Sequence, residues 1–157
     1  MVNSGSHKGN LKHDCYTCNK NQYIKRFVLL QTDLYEIHAS MNKYKKRLTV
    51  TPIVHVSDIS ELGSYKFMNI YLGIKQFLHQ YNVPGFELSI KTGDWMRHDH
   101  QHTHILIEDQ YLDQILKDHN IHQDVDNPND MKKYKFGRNP SLKATGVDEN
   151  WRDLNIN

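Results

Sequence analysis

The alternation of hydrophobic and polar positions along the chain predicts several short strands. The segment KRFVLLQTDLYEIHAS has the aliphatic, aromatic and β-branched density of two antiparallel strands, with a break near Thr32 that is typical of a hairpin turn. LTVTP then alternates as a strand that ends at Pro52, because proline cannot donate to the ladder, and His55 follows directly. FELSIK alternates as a further strand after the NVPG stop signal.

The longest periodic stretch predicts an amphipathic helix. Asp58, with Glu61 three residues later, is a helix-start signal. Apolar residues then recur at spacings of three and four, at Phe67, Ile70, Tyr71, Ile74, Phe77, Leu78 and Tyr81. DQYLDQILKDHN predicts a shorter second helix. Strands, one long helix and then strands predict an α+β domain, in which the helix packs on an antiparallel sheet.

The domain boundaries are expected where this pattern stops. The chain has 157 residues, enough for one hydrophobic core. Residues 1–12 are polar and without period, which predicts a flexible N-terminal arm. Residues 13–122 are expected to form the folded domain. Residues 123–157 show no sustained period and predict an irregular tail, whose aromatic residues could dock on the domain.

Composition and charge narrow the class of protein. The formal net charge is +2, so the field of the whole molecule steers nucleic acid or anionic membranes only weakly toward it. No run of about 18 apolar residues is present, and the first thirty residues lack the apolar middle of a signal peptide. We therefore expect an intracellular protein, cytoplasmic or nuclear, without a membrane partner.

The two cysteines of the chain, Cys15 and Cys18, lie in one CYTC motif. A two-residue spacer suits a shared metal ion, while a redox pair and two buried thiols are the other interpretations. Two thiolates leave a tetrahedral Zn²⁺ two ligands short, and histidine nitrogen usually supplies the rest when no cysteine remains. His55 and one histidine of the 98–104 stretch are candidates for those ligands.

The stretch HDHQHTHILIE carries four histidines at alternate positions and then an aliphatic run. On a strand, His98, His100, His102 and His104 would project from one face. The aliphatic run would anchor such a strand in the sheet. A metal-binding polar loop, or surface histidines on an edge strand, would give the same alternation.

The run HQHTHIL, residues 100–106, resembles the signature of the histidine triad family, in which three histidines alternate with apolar residues before a closing aliphatic pair. CYTC is similar to the cysteine pair of the zinc-bearing members. LTVTPIVHVSDISEL is similar to their strand, proline, histidine and helix start, and the long helix and closing hairpin follow in the family's order. The resemblance runs from about Cys15 to Glu108 and implies a histidine-triad-like domain at 13–122.

The resemblance also implies the chemistry of a nucleotide hydrolase or nucleotidyl transferase. In the zinc-bearing branch, His102 corresponds to the nucleophile toward the α-phosphate of a nucleotide conjugate, which forms a covalent nucleotidyl-histidine. His104 corresponds to the residue beside the phosphate. A structural Zn²⁺ is held at the positions of Cys15, Cys18, His55 and His100. A neutral imidazole is a good nucleophile near neutral pH, so the assignment is chemically reasonable.

An earlier register of the triad is also open, with His98, His100 and His102 as its members and His100 as the nucleophile. We prefer the later register because His104, and not His102, directly precedes the aliphatic run. His98 then lies in the approach loop, available for a phosphate contact or as a solvated loop residue.

Two further residues are candidate substrate contacts. Arg97 could clamp a phosphate from the approach loop, with an ordinary surface arginine as the other interpretation. Asn42 is a candidate contact to phosphate or ribose. Asn42 also begins NKYKKR, which resembles the lysine-bearing segment of aprataxin, a relative that removes adenylate from DNA ends. Such a basic run with an aromatic could grip a nucleic-acid backbone or be a solvated loop.

Two other functions remain open. The first is a non-catalytic, zinc-stabilised module that binds nucleotides or nucleic-acid ends. The second is a metalloenzyme whose metal lies among the histidines of 98–104. Members of the family include monomers and dimers, so the resemblance leaves the oligomeric state open.

Overall fold

The computed structural model of the protein describes Cys15 and residues 17–20, 22–96 and 99–123. The described strands are β1 (Val28–Gln31), β2 (Tyr35–Ala39), β3 (Leu48–Pro52), β4 (Glu87–Ile90) and β5 (Thr103–Leu106). The described helices are α1 (Gln22–Lys25), α2 (Gly63–His79) and α3 (Asp109–Asp118). The predicted arm at 1–12 and nearly all of the predicted tail lie outside the described residues.

The strands form one antiparallel sheet in the order β1-β2-β3-β5-β4. The turn between β1 and β2 is closed by Thr32, whose hydroxyl accepts from the backbone N–H of Leu34 at 3.2 Å and of Tyr35 at 3.0 Å. The hairpin break predicted near Thr32 is therefore confirmed. β5 is inserted between β3 and β4, which brings the end of the histidine stretch into the interior of the sheet.

The predicted helix start has the expected capping geometry. The Asp58 carboxylate accepts from the Ser60 N–H, while the Glu61 carboxylate accepts from the N–H groups of Ser57 and Asp58. The first turn, Ile59–Leu62, is 3₁₀, and α2 follows from Gly63. The buried residues of α2, Ile70, Gly73, Ile74, Phe77 and Leu78, form the stripe that faces the core.

The two faces of the sheet differ in chemistry. Because side chains alternate along a strand, Tyr35, Ile37 and Ala39 of β2 share one face with their partners on β3. That face belongs to the hydrophobic core that includes α2 and α3. Glu36 and His38 lie on the opposite face, opposite Thr51 and Thr49. His104 is opposite Thr49 and therefore lies on this polar face as well.

The predicted α+β architecture is thus confirmed, with one long helix packed on an antiparallel sheet. The cysteine-bearing turn, the strand with its proline and histidine, the long helix and the closing hairpin occur in the order that the resemblance implies. The short helix predicted after the histidine stretch is α3. Across the described part of the chain, no helix combines the length and apolar character needed to cross a membrane.

Candidate functional site

Four metal-ligating side chains meet beside the sheet. Cys15 and Cys18 flank a tight turn before α1, closed by hydrogen bonds from the backbone and side-chain N–H groups of Asn19 to the Cys15 carbonyl. His55 follows β3 and His100 precedes β5. The four ligand atoms lie within 4.8 Å of one another. The structure thus brings together all four residues predicted to bind a metal.

The hydrogen bonds of His100 identify its metal-facing nitrogen. Its Nε2 lies 2.8 Å from the carbonyl oxygen of Pro52. A carbonyl only accepts, so Nε2 carries the proton and Nδ1 keeps its lone pair in the neutral ring. Nδ1 lies 3.4 Å from Sγ of Cys15 and 3.4 Å from Sγ of Cys18. The lone pair is therefore turned toward the two thiols.

His55 is arranged in the same way. Its Nδ1 is 3.4 Å from Sγ of Cys18. Its Nε2 is 3.2 Å from Oδ1 of Asp99, which is within ion-pair distance. The N–H is not aligned with this oxygen for a hydrogen bond. Burial lowers the pKa of His55, but the neighbouring Cys15 and Asp99 outweigh burial, so the net pKa is raised above its usual value.

This donor set fits a tetrahedral zinc ion. Zn–S bonds of about 2.3 Å and Zn–N bonds of about 2.0 Å place sulfur and nitrogen ligands roughly 3.5 Å apart, close to the observed separations. A hydrogen bond with Cys18, followed by burial, raises the pKa of Cys15 against the opposing effects of His100 and His55. A metal ion reverses this preference, because a coordinated thiol gives up its proton. The group is therefore compatible with a metal site.

His102 lies next to this group and presents an imidazole in a defined orientation. Its Nδ1 is 3.1 Å from the carbonyl oxygen of His100, so Nδ1 carries the proton and Nε2 has the lone pair in the neutral ring. Its ring packs edge to face with His104, with 5.0 Å between the ring centroids. The side chain is half-buried.

His104 is neutral at physiological pH. Burial, followed by the charges of Arg47, His102, Lys91 and Lys45, lowers its pKa to about 3. Its Nδ1 is 3.2 Å from the Thr49 hydroxyl. His104 can thus offer a phosphate an N–H donor but not a positive charge. The positive charge near this histidine comes from Arg47, Lys91 and Lys45.

The predicted substrate contacts have different outcomes. Asn42 is almost fully buried, and its Oδ1 accepts from the Tyr44 N–H at 2.8 Å. Its Nδ2 has no hydrogen-bond partner among the described residues. Arg97 and His98 lie outside the described residues, so their roles stay predictions. The role of Asn42 toward a substrate is also still a prediction.

The strand interpretation of the histidine stretch holds only for its C-terminal end. β5 begins at Thr103, and residues 99–102 approach it as irregular backbone. In the register of β3 with β5, the position opposite Pro52 is Gln101. Proline has no N–H for the ladder, and its carbonyl oxygen is occupied by His100. The Gln101 N–H instead donates to the carbonyl of Val56 at 2.7 Å, which turns His100 toward the cysteines.

Several polar residues around the histidines were missed by the sequence analysis. Glu36, Thr49 and Thr51 are buried on the same sheet face as His104. The signal was present as polar residues at every second position of YEIHA and LTVTP. Among the described residues, the sole cluster of three or more potential metal ligands is the Cys₂His₂ group, so no all-histidine metal site is formed there.

The chain is similar to known proteins in structure. No protein-family model matches the chain, and no curated protein has a similar sequence. The NitFhit protein of C. elegans is similar in structure, with a TM-score of 0.48, 14% identity and coverage of 62% of this chain. This chain covers 27% of the NitFhit chain, about a quarter of its length.

A second similar structure is the Plasmodium falciparum diadenosine triphosphate hydrolase, determined in complex with Cyclomarin A. It has a TM-score of 0.48 and 18% identity, and the match covers 61% of this chain and 73% of that one.

Proposed function

We propose that the protein is a nucleotide phosphohydrolase or nucleotidyl transferase that acts at the α-phosphate of a nucleotide conjugate. The proposed nucleophile is Nε2 of His102. One observation carries the proposal: Nδ1 of His102 is committed to the His100 carbonyl, so the lone pair of the neutral ring is on Nε2. The similarity of HQHTHIL to the histidine triad signature supports the same assignment.

The proposed reaction has two displacements at phosphorus. Nε2 of His102 forms a bond to the α-phosphorus, and the bond between phosphorus and the leaving-group oxygen breaks with its electron pair on that oxygen. Water or another acceptor then forms a bond to phosphorus, the P–N bond breaks, and the imidazole is regenerated. A proton lost by the attacking water or acceptor balances the proton gained by the leaving group.

The charges near His104 support binding of a phosphate at this site. Arg47, Lys91 and Lys45 all contribute to the depressed pKa of His104. Their field favours the negative charge that develops on nonbridging phosphate oxygens during both displacements. We propose that His104 donates a neutral N–H to one of these oxygens. Asn42, Arg97 and His98 are proposed as further contacts to the substrate.

The proposed cofactor is a structural Zn²⁺ held by Cys15, Cys18, His55 and His100. With four protein ligands, the coordination sphere leaves no position for water, so the ion would stabilise the fold rather than generate a nucleophile. His100 also offers its carbonyl oxygen to His102. Fixing His100 therefore fixes the acceptor that orients the proposed nucleophile.

Incubation with a nucleotide conjugate labelled at its α-phosphate tests the proposal. We expect the wild type to turn the conjugate over and to accumulate an acid-sensitive, base-stable label. His102→Ala should form no label and should lose nearly all turnover. His79→Ala is the matched control because His79 is an exposed histidine at the end of α2 and should behave as wild type. Equal turnover by His102→Ala and wild type would refute the proposal.

A second candidate is a non-catalytic module that binds nucleotides or nucleic-acid ends. The loop between β2 and β3 favours it, because Tyr44 is 68% exposed next to a run of basic residues. Nζ of Lys43 lies 5.3 Å from the centre of the Tyr44 ring. An exposed aromatic ring can stack on a base while a neighbouring cation binds the phosphate. Under this candidate, His102→Ala retains binding, Tyr44→Ala weakens it, and the wild type turns over none of a diverse set of nucleotides.

A further inference from the structure

We infer that Asp99 is a positioning residue for the metal centre, a role that rests on the proposed zinc site. The carboxylate Oδ1 of Asp99 lies 3.2 Å from Nε2 of His55, the nitrogen that points away from the cysteines. The His55 side chain is 7% exposed and that of Asp99 is 42% exposed. The contact therefore joins a buried metal ligand to a side chain with room to adjust.

The two histidine ligands need the same support, and each has a different acceptor. A ligand that binds metal through Nδ1 must carry its proton on Nε2, and an acceptor at Nε2 fixes both the tautomer and the ring orientation. His100 has the carbonyl of Pro52 for this purpose. For His55, the Asp99 carboxylate lies at ion-pair distance from Nε2, and a carboxylate that accepts from this nitrogen would also make the metal-binding nitrogen more basic. The Asp99 side chain is 42% exposed, which leaves the carboxylate room to rotate toward the N–H.

The position of Asp99 in the chain gives this contact a second consequence. Asp99 directly precedes His100, so its contact with His55 joins the two histidine ligands from outside the coordination sphere. The same segments are also joined by His100 Nε2 to the Pro52 carbonyl and by the Gln101 N–H to the Val56 carbonyl. Of these three links between 99–101 and 52–56, the Asp99 contact alone can be removed without changing a proposed ligand or the backbone.

Zinc affinity of the full-length protein, measured by competition with a chromophoric chelator, tests the inference. Asp99→Ala should weaken zinc binding by roughly 10- to 100-fold, the usual cost of losing such an outer partner. Asp99→Asn should fall between Asp99→Ala and wild type, because the amide oxygen accepts a hydrogen bond but has no charge. Asp94→Ala is the control, since Asp94 is an exposed carboxylate in the same loop, and it should bind zinc as wild type does.

A second measurement separates positioning from general damage to the loop. In NMR spectra of the zinc-loaded protein, the His55 Nε2 proton should shift upfield in Asp99→Ala and stay in place in Asp94→Ala. Wild-type zinc binding with unchanged affinity in Asp99→Ala would overturn the inference and leave the metal site intact. Failure of the wild type to bind zinc would overturn the metal site and the inference with it. Neither result depends on turnover of a nucleotide.

Discussion

At the scale of single residues, burial decides the protonation state of His104. His104 is 8% exposed and is surrounded by basic groups, and its pKa falls to about 3. His102 is half-buried next to it and uses Nδ1 to donate to a backbone carbonyl. Two histidines on the same short stretch thus have different chemistry because of their surroundings. This difference separates the proposed nucleophile, His102, from the proposed neutral hydrogen-bond donor, His104.

The depressed pKa of His104 predicts a pH dependence of stability. An unfolded histidine titrates near 6.5, so between about 6.5 and 3 the unfolded chain binds the proton more tightly than the folded protein. The free energy of unfolding should therefore fall as the pH is lowered from about 6.5, by at most about 1.4 kcal/mol per pH unit from this residue. Above about pH 6.5 this contribution is constant.

Urea denaturation of wild type and His104→Gln at several pH values from about 7 down to 5.5 measures this effect. The difference between the two proteins isolates His104 together with its effect on the adjacent His102, because zinc release affects both proteins alike. The wild type should lose stability more steeply than the variant as the pH falls. Parallel curves would show that His104 titrates normally in the folded protein.

At the scale of elements, the contact between α2 and the sheet depends on a glycine. A Cβ added at Gly73 would meet the hydroxyl oxygen of Tyr35 at 1.9 Å and Cζ of its ring at 2.5 Å. Alanine would otherwise favour the helix by about 1 kcal/mol, but overpacking of a well-filled core typically costs about 1–3 kcal/mol. Because Tyr35 is buried and has little room to retreat, Gly73→Ala should lower the free energy of unfolding.

Thermal and urea denaturation of Gly73→Ala and two reference variants test this prediction. Gly85→Ala is the matched control, because a Cβ there has no atom within 4 Å, and it should be nearly neutral. In a Tyr35→Leu background, which removes the obstructing ring, the added cost of Gly73→Ala should largely disappear. An equal cost in both backgrounds would mean that the clash with Tyr35 is not the cause.

Elements with a strong local signal were predictable, and those that depend on distant pairing were not. The capping box at Asp58, the apolar stripe of α2 and the turn at Thr32 are encoded within a few residues. The start of β5 depends on the residue that the register places opposite Gln101, which is Pro52. The alternation of the histidine stretch contains no information about that partner, so it could not show where the strand begins.

The same distinction holds for the candidate site. The cysteine spacing and the family resemblance were enough to choose the four residues that meet in the structure. Asp99 and His55 are in contact although they are 44 positions apart in the sequence. Thr49 and His104 are in contact although they are 55 positions apart. Such neighbours follow from strand register and loop path. They could not be identified before the fold was known.

At the scale of the whole molecule, the candidate metal centre links the N-terminal segment to the sheet. Within 15–20, Cys15 and Cys18 reach His55 and His100, while Lys20 forms an ion pair with Glu36 of β2 at 2.6 Å. Lys20 also donates to the Thr17 carbonyl. These contacts give the segment two polar links to the sheet and its loops. One is the ion pair between Lys20 and Glu36, and the other is the metal-ligand group. A four-residue helix, α1, adds little cooperative stability of its own.

Removal of the proposed zinc ion should therefore expose amides near the metal-ligand group to exchange more than amides of α2. Structural zinc contributes directly to the free energy of folding, so chelation should lower the melting temperature. In hydrogen–deuterium exchange, the amides of Asn19 and Gln101, which donate to the carbonyls of Cys15 and Val56, should lose protection. Ile74, in the middle of α2, should keep its protection because it packs in the hydrophobic core, which contains none of the four candidate metal ligands.

Cys18→Ser in the presence of zinc should reproduce the pattern seen on chelation, whereas adding chelator to that variant should change little more. This comparison distinguishes loss of the metal from other effects of the chelator. Uniform loss of protection, including Ile74, would mean that the metal supports the whole domain cooperatively. Unchanged protection at Asn19 and Gln101 would mean that the backbone hydrogen bonds hold both segments without the metal. The orientation of His102 would then be independent of the metal.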